Sequence, residues 1–172
     1  MSLLEAGKYE EAMQHCALAA SLGKQAGFVI AQIMMPCIQA LCLAELGQTR
    51  RGIELIRSAA TVAESLLPSW RGYPAATMAL CVIKLGDPAA AATAMEDARR
   101  LASYYDISAL YGQIAEVEYA FLAGAFEDVI RKADEAEAVF AVFGCRLYTP
   151  HLWTRKAEAH AALGRPVEAE AC

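Results

Sequence analysis

Five glycines recur along the chain at near-equal intervals, and no other feature of the sequence constrains the fold as strongly. Gly7, Gly47, Gly86, Gly124 and Gly164 are separated by 40, 39, 38 and 40 residues. A period of this length is typical of chains built from small supersecondary units, each of which buries its apolar face only by packing on its neighbours. The spacing therefore predicts a repeat protein and not a single closed bundle.

The residues that flank these glycines recur as well. Five positions after the glycine the side chain is small in nearly every unit: Ala12, Gly52, Ala91, Val129 and Ala169. Seven positions before the glycine stand Ala40, Ala79, Val117 and Ala157, and twelve positions after it stand Ala19, Ala59, Ala98 and Ala136. Small residues five positions after and seven positions before the glycine let antiparallel helices approach closely. We expect the alanine twelve positions after the glycine to contact the next hairpin.

Each repeat glycine is expected to end a helix, because glycine adopts the left-handed conformation of a helix C-terminus most easily. Asp87 and Pro88 then predict an N-cap followed by proline at the first helical position, and we expect Thr49 to cap its own helix in the same way. Apolar residues recur with the helical period between the turns, and no segment alternates as a half-buried strand does. The chain is therefore predicted to be all-α. The predicted helices span residues 9–26, 28–46, 49–66, 71–85, 88–104, 107–123, 126–143, 147–163 and 166–172.

The charge of the chain argues against nucleic acid as a partner. The 172 residues carry a formal net charge of -5, whereas a protein that neutralises several phosphates needs a concentrated basic surface. Basic doublets such as Arg50–Arg51 and Arg99–Arg100 are scattered among carboxylates, a pattern typical of solvated helix faces. We expect no contact between this domain and nucleic acid.

The cysteines and the amino-terminal residues indicate a cytoplasmic protein. The six cysteines include no C-x-x-C pair, and the three histidines do not lie at the spacing of zinc ligands. Cys16, Cys37, Cys42 and Cys81 fall among apolar residues, so we expect buried, reduced thiols. The first residues do not form a signal peptide, in which an apolar stretch follows a cationic one.

The uncharged segment between Lys24 and Glu45 is nearly long enough to cross a bilayer. Three glutamines and Pro36 interrupt this segment, and it fits the frame of the repeat. We therefore predict no membrane span and no contact with a membrane.

No motif of known chemistry occurs. Phosphate-binding glycine loops, metalloprotease motifs and serine-hydrolase motifs are all missing from the sequence. Several neighbouring carboxylates have the chemistry of general acids and bases, but they follow helical faces in alanine-rich surroundings and are expected to be solvated. These carboxylates are Glu10, Glu11, Glu116, Glu118, Asp134, Glu135 and Glu137. We predict no enzymatic activity, no metal and no cofactor.

The turns and helix starts resemble those of tetratricopeptide repeats. Gly7-Lys8-Tyr9-Glu10-Glu11-Ala12 is close to the family's Gly-x-Tyr-x-x-Ala, and Leu163-Gly164-Arg165-Pro166-Val167-Glu168-Ala169 follows the same pattern. Trp153 occupies the tryptophan position of the family's first helix, where the other units have Pro36, Ala75 and Gln113. The period near 39 residues exceeds the family's period of about 34. Longer units of this kind are similar to the helical-repeat regions of large bacterial signalling ATPases, in which the array follows a nucleotide-binding domain and is joined to a nucleotidyl cyclase or a DNA-binding domain.

The resemblance implies a right-handed superhelical solenoid of antiparallel helix hairpins, with about four to five repeats, over residues 1–172. In that family the first helices of successive hairpins line a concave groove, which binds a peptide or a partner domain. The corresponding positions here are Met34, Cys37, Leu41, Tyr73, Ala76, Leu80, Lys84, Tyr111, Ile114, Glu118, His151, Thr154 and Glu158.

Periodicity alone does not separate groove from core at these positions. Met34, Leu41, Leu80 and Ile114 fit either place equally well, because apolar residues recur with the same spacing in both. Tyr73 and Tyr111 are favoured as groove residues, because their hydroxyls require water or a polar partner.

The resemblance leads to two hypotheses for the function. The first is a non-catalytic protein–protein interaction scaffold, the repeat region of a larger bacterial regulator. The alternative is a small-molecule effector-sensing domain of a signalling ATPase or transcriptional regulator. A closed apolar pocket with a few polar groups would favour the sensor, and an open channel would favour the scaffold. Neither end of the chain carries a polar capping unit, so we expect a fragment of a larger protein whose terminal hairpins pack against another copy.

Overall fold

The computed structural model describes residues 6–102, 108–144 and 148–172, and within these ranges the chain contains helices and no strand. A short 3-10 turn, Pro68–Trp70, precedes α4. The helices are α1 Tyr9–Gln25, α2 Val29–Glu45, α3 Thr49–Leu66, α4 Gly72–Ile83, α5 Pro88–Leu101, α6 Ser108–Leu122, α7 Phe126–Val142, α8 Thr149–Ala162 and α9 Pro166–Glu170.

The all-α prediction is confirmed, and the ends of the helices agree with the predicted ends to within three residues. The predicted boundaries at 104, 107 and 147 lie outside the described residues. The sequence analysis did not identify the 3-10 turn.

The repeat glycines have nearly the same backbone conformation. Their φ angles are 70° at Gly7, 74° at Gly47, 73° at Gly86, 69° at Gly124 and 72° at Gly164. These values lie in the left-handed region that a side chain disfavours, and a Cβ atom at any of these five positions would find no atom within 4 Å. Backbone conformation, not crowding, therefore explains the recurrence of glycine.

Backbone hydrogen bonds close the helix that precedes Gly47, Gly86, Gly124 and Gly164. After α2, the N–H of Gly47 donates to the carbonyl of Ala44 over 3.1 Å, and the N–H of Gln48 donates to the carbonyl of Leu43 over 2.7 Å. This pair of bonds is the Schellman arrangement, and the same pair recurs around Gly124 and Gly164. The predicted role of the glycines as helix terminators is confirmed at Gly47, Gly86, Gly124 and Gly164, and the helix expected before Gly7 falls on residues outside the described ranges.

The residue directly after the repeat glycine takes the N-cap position of the following helix. In α5 this residue is Asp87, whose Oδ1 accepts the N–H groups of Ala89 and Ala90, and Pro88 is the first helical residue as predicted. The prediction that Thr49 caps α3 is wrong. Thr49 is itself the first residue of the helix and is buried, and the N-cap is Gln48, which makes no capping bond with its side chain.

Within the described ranges, the main contacts of each helix are with near neighbours along the chain. Each helix packs on the helix before it and the helix after it, and the even-numbered helices also contact one another in succession from α2 through α4 and α6 to α8. The odd-numbered helices pack mainly on the even-numbered helices to either side. The even-numbered helices therefore form a continuous inner row, and the core lies along it.

Small residues set the distance between the two helices of a hairpin. A Cβ atom at Gly52 of α3 would lie 2.8 Å from the carbonyl oxygen of Ala40 in α2 and 3.2 Å from its Cα atom. In the next hairpin the equivalent residues Ala79 and Ala91 are fully buried. The predicted close approach at these two positions is confirmed for these hairpins.

No helix among the described residues is long and apolar enough to cross a membrane. The uncharged segment that raised the question forms α2, a helix of 17 residues with Pro36 inside it.

We expect Gly52→Ala to destabilise the protein, because the added methyl group would overlap the backbone of Ala40. Overpacking of this kind costs about 1–3 kcal/mol. Gly112→Ala is a matched control, since Gly112 also lies inside a helix but has no atom within 4 Å of an added Cβ. It should stabilise the protein by up to about 1 kcal/mol through helix propensity. Urea unfolding of both variants tests the difference, and equal effects of the two substitutions would contradict the close approach.

Candidate functional site

Most of the residues predicted to line a groove lie in the core. Leu41, Leu80 and Ile114, for which the sequence left groove and core open, are all buried. Met34 is half-buried and packs against the core. The full set of predicted groove residues that are buried is Cys37, Leu41, Tyr73, Ala76, Leu80, Tyr111 and Ile114.

Tyr73 and Tyr111, the favoured groove residues, are buried in the inner row. Their rings form an edge-to-face contact with centroids 5.1 Å apart, and the ring of Tyr111 makes a similar contact with Tyr148 at 5.6 Å. The hydroxyls of Tyr111 and Tyr148 lie 2.8 Å apart, so Tyr111 does have a polar partner. The hydroxyl of Tyr73 makes no hydrogen bond within the described part of the chain. Burial raises the pKa of both Tyr73 and Tyr111, which keeps their hydroxyls neutral.

The exposed members of the predicted set are polar and concentrate at α8. His151, Thr154 and Glu158 are exposed. They occupy the same repeat positions as buried Tyr73, Ala76 and Leu80, counted from the glycine. We call these three exposed side chains the α8 surface. Lys84 is also exposed, but its Nζ atom is held 2.6 Å from Glu45 Oε1.

A cluster of ion pairs fixes α8 to α6. Glu118 of α6 accepts Arg155 Nε at 2.6 Å and Arg155 Nη2 at 2.9 Å, and its Oε1 lies 2.7 Å from His151 Nε2. Arg155 also donates to Glu158 over 2.6 Å, and its guanidinium stacks 4.4 Å from the centroid of the Phe121 ring. The sequence analysis missed Arg155. Its spacing of three from Glu158 is a local signal of an ion pair, but its pairing with Glu118 follows only from the packing of two units.

Glu118 is charged and fully engaged in this cluster. Its side chain is 13% exposed. Burial raises its pKa, but hydrogen bonds from His151 and Arg155, together with their charges, outweigh burial and lower the pKa to about 2. A carboxylate whose two oxygens already accept bonds from cations is a poor general base. Glu118 therefore joins the two helices. Two members of the α8 surface, His151 and Glu158, take part in the same cluster, and the third, Thr154, donates its hydroxyl to the carbonyl of Pro150 in its own helix.

A polar side chain stands eight residues before the repeat glycine in three of four units and bonds to the preceding odd-numbered helix. Gln39 donates to the carbonyl of Met13 in α1 over 3.1 Å. Glu116 accepts Arg99 of α5 at 2.8 Å and Lys132 of α7 at 2.7 Å. In the last unit the bonds are between Lys156 and Asp134, at 2.6 Å.

The remaining unit, that of Gly86, has Met78 at this position. A cleft opens there between α3, α4 and α5. Its volume is about 270 Å³. It is lined by Ile56, Ala60, Glu64, Arg71, Pro74, Ala75, Met78, Ala94, Asp97, Arg100 and Leu101.

The rim of this α3–α5 cleft contains two side chains with free polar atoms. Arg100 is paired with Asp97 at 2.7 Å. Arg71 donates through Nε to the carbonyl of Pro68, and its terminal nitrogens make no ion pair with any described residue. Glu64 has no hydrogen bond or ion pair in the same ranges. The cleft therefore combines an apolar floor with one unpaired cation and one unpaired anion.

The prediction of buried, reduced thiols is confirmed for Cys16, Cys37, Cys42 and Cys81, which are buried and free of disulfides. Burial raises the pKa of Cys37 and of Cys81 to about 12, so these thiols are poor nucleophiles at neutral pH. Across residues 6–102, 108–144 and 148–172 no group of three or more His, Cys, Asp or Glu side chains is arranged to hold a metal ion.

Comparison of the chain with protein-family models, with curated proteins and with solved structures found no match. The function therefore has to be inferred from the α8 surface, the α3–α5 cleft and the packing of the helices.

We expect the free energy of unfolding to fall more steeply in acid for the wild-type protein than for a variant that lacks the carboxylate of Glu118. The pKa of Glu118 is about 2 in the folded protein and about 4.3 in an unfolded chain. A lowered folded pKa contributes stability at pH values above the unfolded pKa, and this contribution is lost as the pH falls through the folded pKa. Its size is on the order of 3 kcal/mol.

Urea unfolding between about pH 6 and pH 3 tests this expectation. Glu118→Gln should be less stable than the wild-type protein at pH 6, and the gap should shrink toward pH 3. Glu54→Gln is the control, because Glu54 is exposed and has no ion pair among the described residues. A gap for Glu118→Gln that stays constant with pH would refute the charged state of the cluster.

Proposed function

We propose that this chain is a non-catalytic protein–protein interaction scaffold of the tetratricopeptide type, the repeat region of a larger bacterial regulator. Its fold would be a right-handed superhelical solenoid of hairpins. The repeated glycine turn and the packing of the even-numbered helices in succession support this arrangement, because in a solenoid each unit contacts only its neighbours.

The observation that carries the proposal is the change of the inner row at α8. In α4 the repeat positions of the α8 surface are buried and apolar, whereas in α8 they are His151, Thr154 and Glu158, all exposed. Arg155 and Glu118 hold this helix in place and orient two of these side chains, because Glu118 bonds to His151 and Arg155 bonds to Glu158. Exposed polar side chains on a rigid helix provide directional hydrogen bonds at low entropic cost, and they suit a peptide or domain with polar side chains of its own.

Selection from a displayed library of random peptides tests this proposal directly. We expect peptides with dissociation constants in the micromolar range, on the order of 1–100 μM. Thr154→Arg should weaken their binding by at least about tenfold, since a long charged side chain would cover the α8 surface. The matched control is Thr61→Arg, because both threonines are exposed and each donates its hydroxyl to the carbonyl four residues earlier.

Two results would count against the scaffold. One is a selection that yields no peptide at all. The other is a set of peptides whose affinity falls equally in Thr154→Arg and Thr61→Arg, because such peptides would not be bound at α8.

The α3–α5 cleft favours a second function, the sensing of a small molecule. Its apolar floor is formed by residues such as Ile56, Met78 and Ala94, and the terminal nitrogens of Arg71 lie unpaired at its rim. Together with the unpaired carboxylate of Glu64, these features match a compact amino acid with an aromatic or branched side chain, because its carboxylate would pair with Arg71, its ammonium group with Glu64, and its side chain would cover the floor.

A panel of amino acids with aromatic or branched apolar side chains tests this second function. A ligand that binds only the folded state raises the melting temperature, and the rise grows with the logarithm of the ligand concentration above the dissociation constant. We expect Met78→Trp to abolish the rise by filling the cleft, and Arg71→Gln to reduce it. Arg57→Gln, an exposed substitution on α3 outside the cleft, should leave it unchanged. Equal stabilisation of the wild-type and Met78→Trp proteins would place the ligand elsewhere.

A further inference from the structure

Three charged side chains hold α5, α6 and α7 together. Glu116 of α6 accepts hydrogen bonds from Arg99 of α5 at 2.8 Å and from Lys132 of α7 at 2.7 Å. Burial raises the pKa of Glu116, but these hydrogen bonds and the two positive charges outweigh burial and lower the pKa, so the carboxylate is charged. We call these three residues the ion triad. Through it, one carboxylate connects two odd-numbered helices across the even-numbered helix between them.

The same three repeat positions are uncharged in α3, α4 and α5, and all of them line the α3–α5 cleft. The positions are thirteen after, eight before and eight after a repeat glycine, and the residues there are Ala60 of α3, Met78 of α4 and Ala94 of α5. No hydrogen bond or ion pair joins α3 to α5 within the described ranges. The cleft therefore lies where the next three helices along the chain have the ion triad.

The middle position of the triad connects helices elsewhere in the chain as well. Gln39 of α2 donates to the carbonyl of Met13 in α1 over 3.1 Å. Lys156 of α8 lies 2.6 Å from Asp134 Oδ1 and 3.9 Å from Glu137 Oε1, both in α7. Glu137 occupies the repeat position of Arg99 in the triad, so the ion pair recurs there with its charges reversed. Among the described units, only the unit of Met78 has no polar side chain at the middle position.

An amino acid in the cleft has groups that contact all three helices, a step that rests on the second proposed function. Its ammonium group would pair with Glu64 of α3, and its carboxylate with Arg71, directly before α4. Its side chain would cover Ala94 of α5. Arg100 of α5 also lies at the rim, and its exposed pair with Asp97 contributes little to stability, so little is lost if Arg100 turns to the same carboxylate.

We propose that the α3–α5 cleft is a ligand-controlled joint, in which a bound amino acid takes the place of the ion triad and holds α3 and α5 together across α4. Without the amino acid, α3 and α5 are joined mainly through their separate contacts with α4. A ligand shifts a conformational equilibrium by its differential affinity for the two states. Only the state in which α3 and α5 lie close lets one molecule contact both. Binding would thereby set the orientation of the helices before α4 relative to those after it.

Distances between spin labels test the proposal, with L-leucine and L-phenylalanine as probes. Nitroxides on non-natural residues at Arg57 of α3 and Glu96 of α5 report on the joint, because both positions are exposed and neither lines the cleft. We expect a probe that raises the melting temperature to narrow the distribution of distances between these labels. A second pair of labels, at Glu96 and at exposed Ala138 of α7, spans the helices that the ion triad already connects. Its distribution should not change.

Transfer of the ion triad into the cleft tests the joint without a ligand. The triple variant Ala60→Arg, Met78→Glu and Ala94→Lys should narrow the α3–α5 distribution in the absence of an amino acid and abolish the rise in melting temperature. The matched control is Ala60→Arg, Met78→Lys and Ala94→Lys, which adds similar bulk but three like charges. It should block binding and leave the distribution broad. Circular dichroism checks that each variant is folded.

Met78→Gln is a milder variant that adds a single polar side chain, the residue type of Gln39. It should narrow the α3–α5 distribution in the same direction as the transferred triad, which keeps the proposal testable if the triple variants do not fold.

The outcomes separate the joint from the sensing of the amino acid. A probe that raises the melting temperature but leaves the α3–α5 distances unchanged overturns the joint and leaves the sensing function standing. Equal distributions in the two triple variants overturn the joint as well, because bulk and not ion pairing would then decide the distance. If neither amino acid raises the melting temperature, the sensing function and the joint are overturned together. None of these outcomes depends on binding of a peptide at α8.

Discussion

The left-handed backbone at the repeat glycine determines how each hairpin closes, and the rest of the structure follows from it. A φ angle near 70° at this position turns the chain back within three residues, and the Schellman hydrogen bonds satisfy the last carbonyls of the first helix. With the turn fixed, the positions seven before and five after the glycine face each other, as Ala40 and Gly52 do. The turn thus sets the register, and the small side chains set the distance between the two helices.

Units built in this way are joined by two sets of contacts. Apolar and aromatic side chains, with Tyr73 and Tyr111 among them, join the even-numbered helices in one continuous row. Polar side chains eight residues before the glycine, such as Glu116, tie the even-numbered helices to the odd-numbered ones. The candidate sites occur where one of these patterns is interrupted. Met78 stands where the other units have a hydrogen-bonding polar side chain, and a cleft lies there. In α8, exposed polar side chains stand where the even-numbered helix α4 has buried apolar ones.

The helices were predictable from the sequence because their ends depend on local chemistry. Glycine in the left-handed region and the cap formed by Asp87 and Pro88 act within a few residues, so spacing and residue type were sufficient. Thr49 was misplaced by one position, because the residue directly after the glycine takes the cap whatever its type.

The site residues were harder to predict because burial depends on which helix packs on which. Tyr73 has the same helical spacing whether a neighbouring helix or solvent covers it. Arg155 finds Glu118 across 37 residues of sequence, and no local pattern encodes that distance. The cleft at Met78 can be recognised only by comparing the position eight residues before the glycine with the hydrogen bonds that the same position makes in the other units.

His151 belongs both to the α8 surface and to the ion-pair cluster that joins α6 to α8. Any molecule that takes up the Nε2 hydrogen of His151 does so in competition with Glu118. Binding of a molecule at α8 would therefore be thermodynamically linked to the contact between α8 and α6, and the linkage would act in both directions. A ligand bound at α8 would change how firmly α8 is held against α6.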